Sequence, residues 1–324
     1  MLDTLSPWKA SLTLAEHSII IYALSVAGLA MFAFFAKSWV SRTEVTSRYR
    51  SSTYAGLCIT GIAFLSYVLL VVEFAIGYER RGSMWVPNAN AILSWAPRYF
   101  DWTVTVPLLM IELIAVATIA GAAARRLRFV AVAAAFLMIS TGYIGGIVID
   151  SGQSITALWI WGVISGIFMV VLYLLIIYVV VKGGRDLAVT PAATSLRNAG
   201  LLLIVTWLAY PIIFGLQGWG HGGAVITWMQ VVLSVADIVA KVGFGSLIHK
   251  IAKTRSAIDV TRGIDTLPES IWISSEKLAD GVTARLETPP VKPDTSSTHA
   301  SSSTDGSNAV SSVADGGSAH AARP

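Results

Sequence analysis

The residues best equipped for chemistry lie in one run, Ala236-Asp237-Ile238-Val239-Ala240-Lys241-Val242-Gly243-Phe244-Gly245. This run sits inside the last long apolar segment, Ala224 to Ile248, where Asp237 and Lys241 are the only charges. At the centre of a membrane helix each charge would cost about 2.5–3.5 kcal/mol. Spaced i, i+4, they share a helix face and can offset one another. Two readings follow. The pair can be a plain buried ion pair that holds helices together. Alternatively, the Lys241 amine can condense with a carbonyl as a Schiff base, with a carboxylate one turn away as counter-ion to the resulting cation.

A second constellation lies upstream. Arg98, Asp101, Thr105 and Glu112 are separated by three, four and seven residues, which puts them on one face of a helix. Asp101 and Glu112 are about 16 Å apart along the axis at 1.5 Å per residue. They cannot touch, but a group held between them could exchange protons with both, as donor, switchable centre and acceptor. Glu112, with only apolar neighbours in sequence, is expected to be neutral at rest, and Asp101, near Arg98 and a Lys241 cation, ionised. The competing reading is polar packing between helices, which is costly for three ionisable groups on one membrane face. Thr105 has its own alternative, a bond to its i−4 carbonyl.

These faces need elements to carry them. The 324 residues are 55% hydrophobic and 13% charged, against about 25% charged for a soluble domain. The composition implies a polytopic, all-α membrane protein. Seven segments are long and apolar enough to span: Ser18–Phe35, Tyr54–Ile76, Tyr99–Ala123, Phe129–Ile149, Ile155–Val181, Ala199–Leu216 and Ala224–Ile248. Alternate connections are basic: Lys37, Arg42, Arg48 and Arg50; Arg125, Arg126 and Arg128; Lys182, Arg185 and Arg197; then Lys250, Lys253 and Arg255. The opposite connections hold only Arg80 and Arg81. The positive-inside rule therefore expects an outside N-terminus and a cytoplasmic C-terminus. The expected organisation is an extracellular segment over 1–17, without the features of a cleaved signal peptide, a seven-helix domain over 18–253, and a cytoplasmic tail over 254–324. The Ser-, Thr-, Gly- and Ala-rich part of that tail from Pro289 reads as disordered. The stretch Gly77–Pro97, with Gly82 and Pro87, reads as an outer loop with a short hairpin.

Several function classes are set aside. The single cysteine, Cys58, allows no internal disulfide. His221, His249 and the tail histidines show no metal-ligand spacing and read as solvated, so no metal is expected. No basic stripe with interleaved aromatics points to nucleic acid. Glu73 reads as an acid near the outer interface, without an assigned role.

Three motifs recur in order on spans three, six and seven: Arg98-Tyr99-x-Asp101-Trp102-x-x-Thr105-x-Pro107-Leu108-Leu109, Trp207-x-x-Tyr210-Pro211, and Asp237-x-x-x-Lys241-Val242-Gly243-Phe244-Gly245. Together they resemble the microbial (type 1) rhodopsins over about residues 18–253, and the Asp101/Thr105/Glu112 triplet resembles the proteorhodopsin and xanthorhodopsin branch. The resemblance implies all-trans retinal on Lys241 as a protonated Schiff base, and a light-driven outward proton pump rather than an enzyme. It implies Asp101 as proton acceptor and counter-ion, Glu112 as cytoplasmic donor, Asp237 as second counter-ion bonded by Tyr67, and Arg98 toward the outer exit. Trp102 and Trp207 would sandwich the polyene, with Tyr210, Pro211 and Phe214 beside them. Met138, Thr141 and Gly142 would lie near the ionone ring, and Leu109 implies green rather than blue absorption. Gly162 matches a position where a small residue can admit a carotenoid antenna, and its alternative role is helix packing.

The resemblance further implies a multi-pass plasma-membrane protein among lipids, as a homo-oligomer, trimeric or pentameric. The alternative function is a photosensor that signals through a partner protein, and Glu112 argues against it. Two departures from the branch stand out. Ser66 occupies the place of its usual span-two histidine, and Met229 lies near the place of an outer release carboxylate of archaeal pumps.

Overall fold

A computed structural model describes residues 6–187 and 191–265. Helices α1 (Leu14–Val40), α2 (Arg50–Gly77), α3 (Ala96–Val116), α4 (Gly121–Tyr143) and α5 (Ile155–Asp186) each run unbroken. The sixth span is divided into α6 (Pro191–Trp207) and α7 (Ala209–Leu216). Pro211 explains the division: it has no N–H to give the Trp207 carbonyl four residues back, so the ladder breaks there. The seventh span comprises α8 (Gly223–Ile238), a wide π turn over Val239–Gly243, and α9 (Phe244–Thr261). Seven spans among the described residues are long and apolar enough to cross a membrane. The molecule is an all-α seven-helix bundle and a multi-pass membrane protein.

Its outer surface suits lipid. Large apolar side chains such as Leu29, Val163, Leu174 and Trp228 are more than half exposed, a contiguous apolar exterior that water would not tolerate. The interior is where polarity collects, with Arg98, Asp101, Glu112, Gln230, Asp237 and Lys241 each at 3% exposure or less. Glycines bring helices close, as small residues do in membranes. A Cβ on Gly28 would stand 3.2 Å from that of Tyr67, and one on Gly245 would stand 2.9 Å from the Phe34 ring.

The expected hairpin is present: β2 (Tyr78–Arg81) and β3 (Met84–Pro87) pair antiparallel about Gly82, whose φ of 63° suits glycine. A third strand, β1 (Leu12–Thr13), joins its far edge, which the sequence pattern did not reveal. Thr13 then caps α1, its hydroxyl accepting from the Glu16 amide while Glu16 accepts from the Thr13 amide.

Four expectations are corrected. The third span ends at Val116 rather than Ala123, because the chain turns extended at Ala117 and restarts at Gly121 with φ of 64°. Arg125, Arg126 and Arg128 therefore belong to the first turns of α4 rather than a loop, and Lys182 and Arg185 likewise belong to α5. The last helix continues to Thr261, past residue 253. His249 is not freely solvated, as its Nε2 lies 3.7 Å from a Glu44 carboxylate oxygen. The Ser-rich tail from Pro289, and residues 1–5 of the N-terminal segment, lie outside the described residues.

Candidate functional site

Helices α3, α8 and the π turn place four charges together inside the bundle. Lys241 Nζ donates to Asp101 Oδ2, and Asp237 Oδ1 lies 3.5 Å from the same nitrogen. Arg98 Nη1 lies 3.5 Å from Asp237 Oδ2. The cations and anions offset each other where all four side chains are buried, so removing one partner strands a buried charge.

The two carboxylates have unlike surroundings. Asp237 accepts from Tyr67 Oη at 2.8 Å, Tyr210 Oη at 2.7 Å and Trp102 Nε1 at 3.1 Å. Its oxygens are fully occupied. Asp101 bonds Lys241 through Oδ2, while its Oδ1 is buried. Thr105 Oγ1, one turn on, interacts with the Asp101 carboxylate, and its alternative bond to an i−4 carbonyl is not formed.

Arg98 is held from the other side as well. Its Nη1 donates to Tyr67 Oη at 3.1 Å, and its Nη2 donates to Gln230 Oε1 at 2.7 Å and Ser234 Oγ at 3.4 Å. Sequence reading missed Gln230 and Ser234. Their positions seven and three residues before Asp237 were the available signal, since all three fall on the buried face of α8. Met229 is buried too, at 1% exposure. Ser66 donates to the Pro97 carbonyl at 2.8 Å and so anchors the start of α3 rather than reaching a carboxylate.

Lys241 opens into an internal cavity. Of the residues anticipated there, Arg98, Trp102, Leu109, Met138, Gly142, Gly162, Trp207, Tyr210, Pro211, Phe214 and Asp237 line it. Thr141 does not; its hydroxyl returns to the Leu137 carbonyl at 2.6 Å. Trp95, Tyr99, Ser165, Met169 and Gln217 also line it and were not anticipated. Trp102 and Tyr210 meet edge to face with centroids 5.0 Å apart. A Cβ on Gly162 would come within 2.7 Å of the Phe214 ring, which gives this glycine a packing role. The aromatic and aliphatic walls and the Lys241 amine, with Asp237 beside it, fit a long apolar aldehyde bound to Lys241.

Glu112 stands apart, toward the other end of α3. It is 3% exposed, and its Oε2 has no partner. Space for its carboxyl comes from Gly56 on α2, where a Cβ would lie 2.9 Å from Glu112 Oε1. Among the described residues no His, Cys, Asp and Glu cluster could hold a metal ion.

Comparison with known proteins bears on this site. A family model described as bacteriorhodopsin-like protein matches residues 14–255. Bacteriorhodopsin-I of Haloarcula marismortui is 33% identical over 68% of this chain and 83% of its own. A green-light absorbing proteorhodopsin from gamma-proteobacterium EBAC31A08 is 28% identical over 74% of this chain and 87% of its own. Halorhodopsins match as well. Among solved structures, xanthorhodopsin, described as a light-driven ion pump with dual chromophore, superposes with a TM-score of 0.66 at 28% identity, over 77% of this chain and 98% of its own.

Proposed function

Because the chain belongs to the bacteriorhodopsin-like family of microbial rhodopsins, we propose that it is a light-driven outward proton pump of the plasma membrane. Family membership implies a retinal chromophore. All-trans retinal held on Lys241 as a protonated Schiff base would supply a cation whose shape, and hence whose proton, light can redirect.

The chain's own residues supply the rest. Asp237, saturated by Tyr67, Tyr210 and Trp102, serves as the fixed counter-ion. Asp101, bonded to the Lys241 nitrogen and otherwise met only by the Thr105 hydroxyl, is the group placed to take its proton. Arg98 and Gln230 lie on the side of the exit. Glu112, sealed in apolar surroundings about 16 Å along α3, returns a proton to the Lys241 nitrogen from the cytoplasmic side. The orientation rests on the basic residues that flank the spans.

The observation that carries this reading is the asymmetry of the two carboxylates, one fully bonded and one less so, on either side of a single amine. An acid on each side of the amine, Asp101 and Glu112, favours protons as the cargo here. A carotenoid antenna at Gly162 would share its place with Phe214, and excitation of transport in a carotenoid's absorption bands is its test.

Cells expressing the protein with retinal in unbuffered medium are expected to acidify the medium in light, and a protonophore should abolish the signal. A coloured protein without acidification would overturn the pump and favour the photosensor.

A further inference from the structure

The cytoplasmic end of α3 carries a contact that the pump reading does not use. Val116 is the last residue of α3, one turn beyond Glu112, and is fully buried. The last carbonyls of a helix have no partner within it. One of them is met from α9: Arg255 Nη1 donates to the Val116 carbonyl at 2.6 Å. Arg255 is 8% exposed, and its guanidinium lies over the Tyr49 ring at 4.8 Å. Tyr49 is itself fixed, its hydroxyl donating to Asp259 Oδ2 at 2.8 Å, and Arg48 pairs with the same oxygen at 3.4 Å. Beside them the Thr46 amide donates to Ser256 Oγ at 2.9 Å.

The result is a three-way clamp. It joins the end of α3, the link between α1 and α2, and α9. A buried guanidinium is a poor choice for mere packing, since its desolvation must be matched by the carbonyl, the ring and the nearby Asp259 charge. The clamp closes the bundle over the end of α3 that bears Glu112. On α3 itself Leu113, Ile114 and Val116 are fully buried apolar residues, while on α2 the buried Ser52 and Thr53 lie between Tyr49 and Gly56, the residue that packs against Glu112.

We propose that Arg255 is a positioning residue for proton uptake: its bond to Val116 holds shut the cytoplasmic route to Glu112, and the route opens when that bond breaks. The inference rests on the pump reading, in which Glu112 must be refilled from the cytoplasm. The charged and titratable groups clustered with Arg255 are Tyr49 and Arg48 from the α1–α2 link and Asp259 from α9 itself. With the latch intact, opening limits refilling, so the rate should vary little with pH. With the latch gone, refilling should follow the proton concentration.

The test uses the full chain with retinal in lipid, with the Glu112 carboxyl band followed by time-resolved infrared spectroscopy after a flash. Glu112→Gln identifies the band. In Arg255→Gln the refilling phase is expected to accelerate by about tenfold or more, the scale of one lost charge-assisted hydrogen bond, and to gain a pH dependence. Arg255→Lys, which keeps the charge but not the planar stack, should fall between. It decides the matter if Arg255→Gln gives no pigment. An unchanged rate and pH profile in a variant with a normal visible band would overturn the latch. A Glu112 band that never changes in the parent protein would instead overturn the pump reading.

Discussion

At the scale of single residues, the centre depends on matched charges buried inside the bundle. Lys241→Ala removes the amine and is expected to abolish the visible band entirely when retinal is added; a normal band would sink the assignment. Asp101→Asn removes the acceptor next to the Lys241 cation. It should shift absorption to the red and reduce transport at least tenfold, measured by spectroscopy and by acidification of the medium. Glu112→Gln should slow recovery of the initial band, with partial rescue by azide as a soluble proton carrier. Much of this site was legible in the sequence, because charges in apolar runs are few and their spacing is informative. Gln230 and Ser234 were not legible, since a neutral polar side chain in a membrane helix gains meaning only when its partner, here Arg98, is seen across the bundle.

At the scale of elements, the seven spans followed from apolar length, and Gly82 and Pro87 indicated the hairpin. The break after Trp207 follows from Pro211 four residues on. Other features come from tertiary contact and leave little trace. The strand Leu12–Thr13 exists because β3 offers an edge. The π turn at Val239–Gly243 alters the register that the i, i+4 argument assumed for Asp237 and Lys241, yet the pair still stands 3.5 Å apart. The junction of α2 with the hairpin is tight. The Gly77 carbonyl accepts from Asn88, and a Cβ on Gly77 would lie 2.9 Å from the Ala91 Cα. Backbone cannot yield as a side chain can. Gly77→Ala is therefore expected to lose about 1–3 kcal/mol of stability, seen as bleaching of the pigment at lower temperature with its absorption maximum unchanged. Unaltered thermal bleaching would show that the hairpin gives way freely.

At the scale of the whole molecule, the bundle is inverted relative to a soluble protein, with apolar side chains facing outward and charges collected inside. Composition alone implied this. Direction is a separate matter, and it rests on basic residues that the helices carry at their ends rather than in loops, such as Arg125 to Arg128 in α4. The positive-inside argument concerns depth in the membrane and not secondary structure, so it does not depend on where each helix ends. A protease added to right-side-out vesicles is expected to leave an epitope at Pro324 intact and to remove it only from inverted vesicles. The opposite pattern would reverse the direction of transport.

The inner cluster has one more consequence. Arg98, Asp101, Asp237 and Lys241 contribute two positive and two negative charges, so the ionised group as a whole is neutral. In the proposed pump cycle, a proton passed from Lys241 to Asp101 leaves that sum unchanged and moves through a small fraction of the membrane's thickness. The membrane voltage, which opposes a full crossing with about 2.3 kcal/mol per 100 mV, therefore has little hold on the first transfer. Its grip falls on the long legs, from Glu112 inward to the cluster and from the cluster past Arg98 to the outside. A cell with a steep membrane potential would slow the late, recovering half of the cycle while leaving the light-triggered step nearly free.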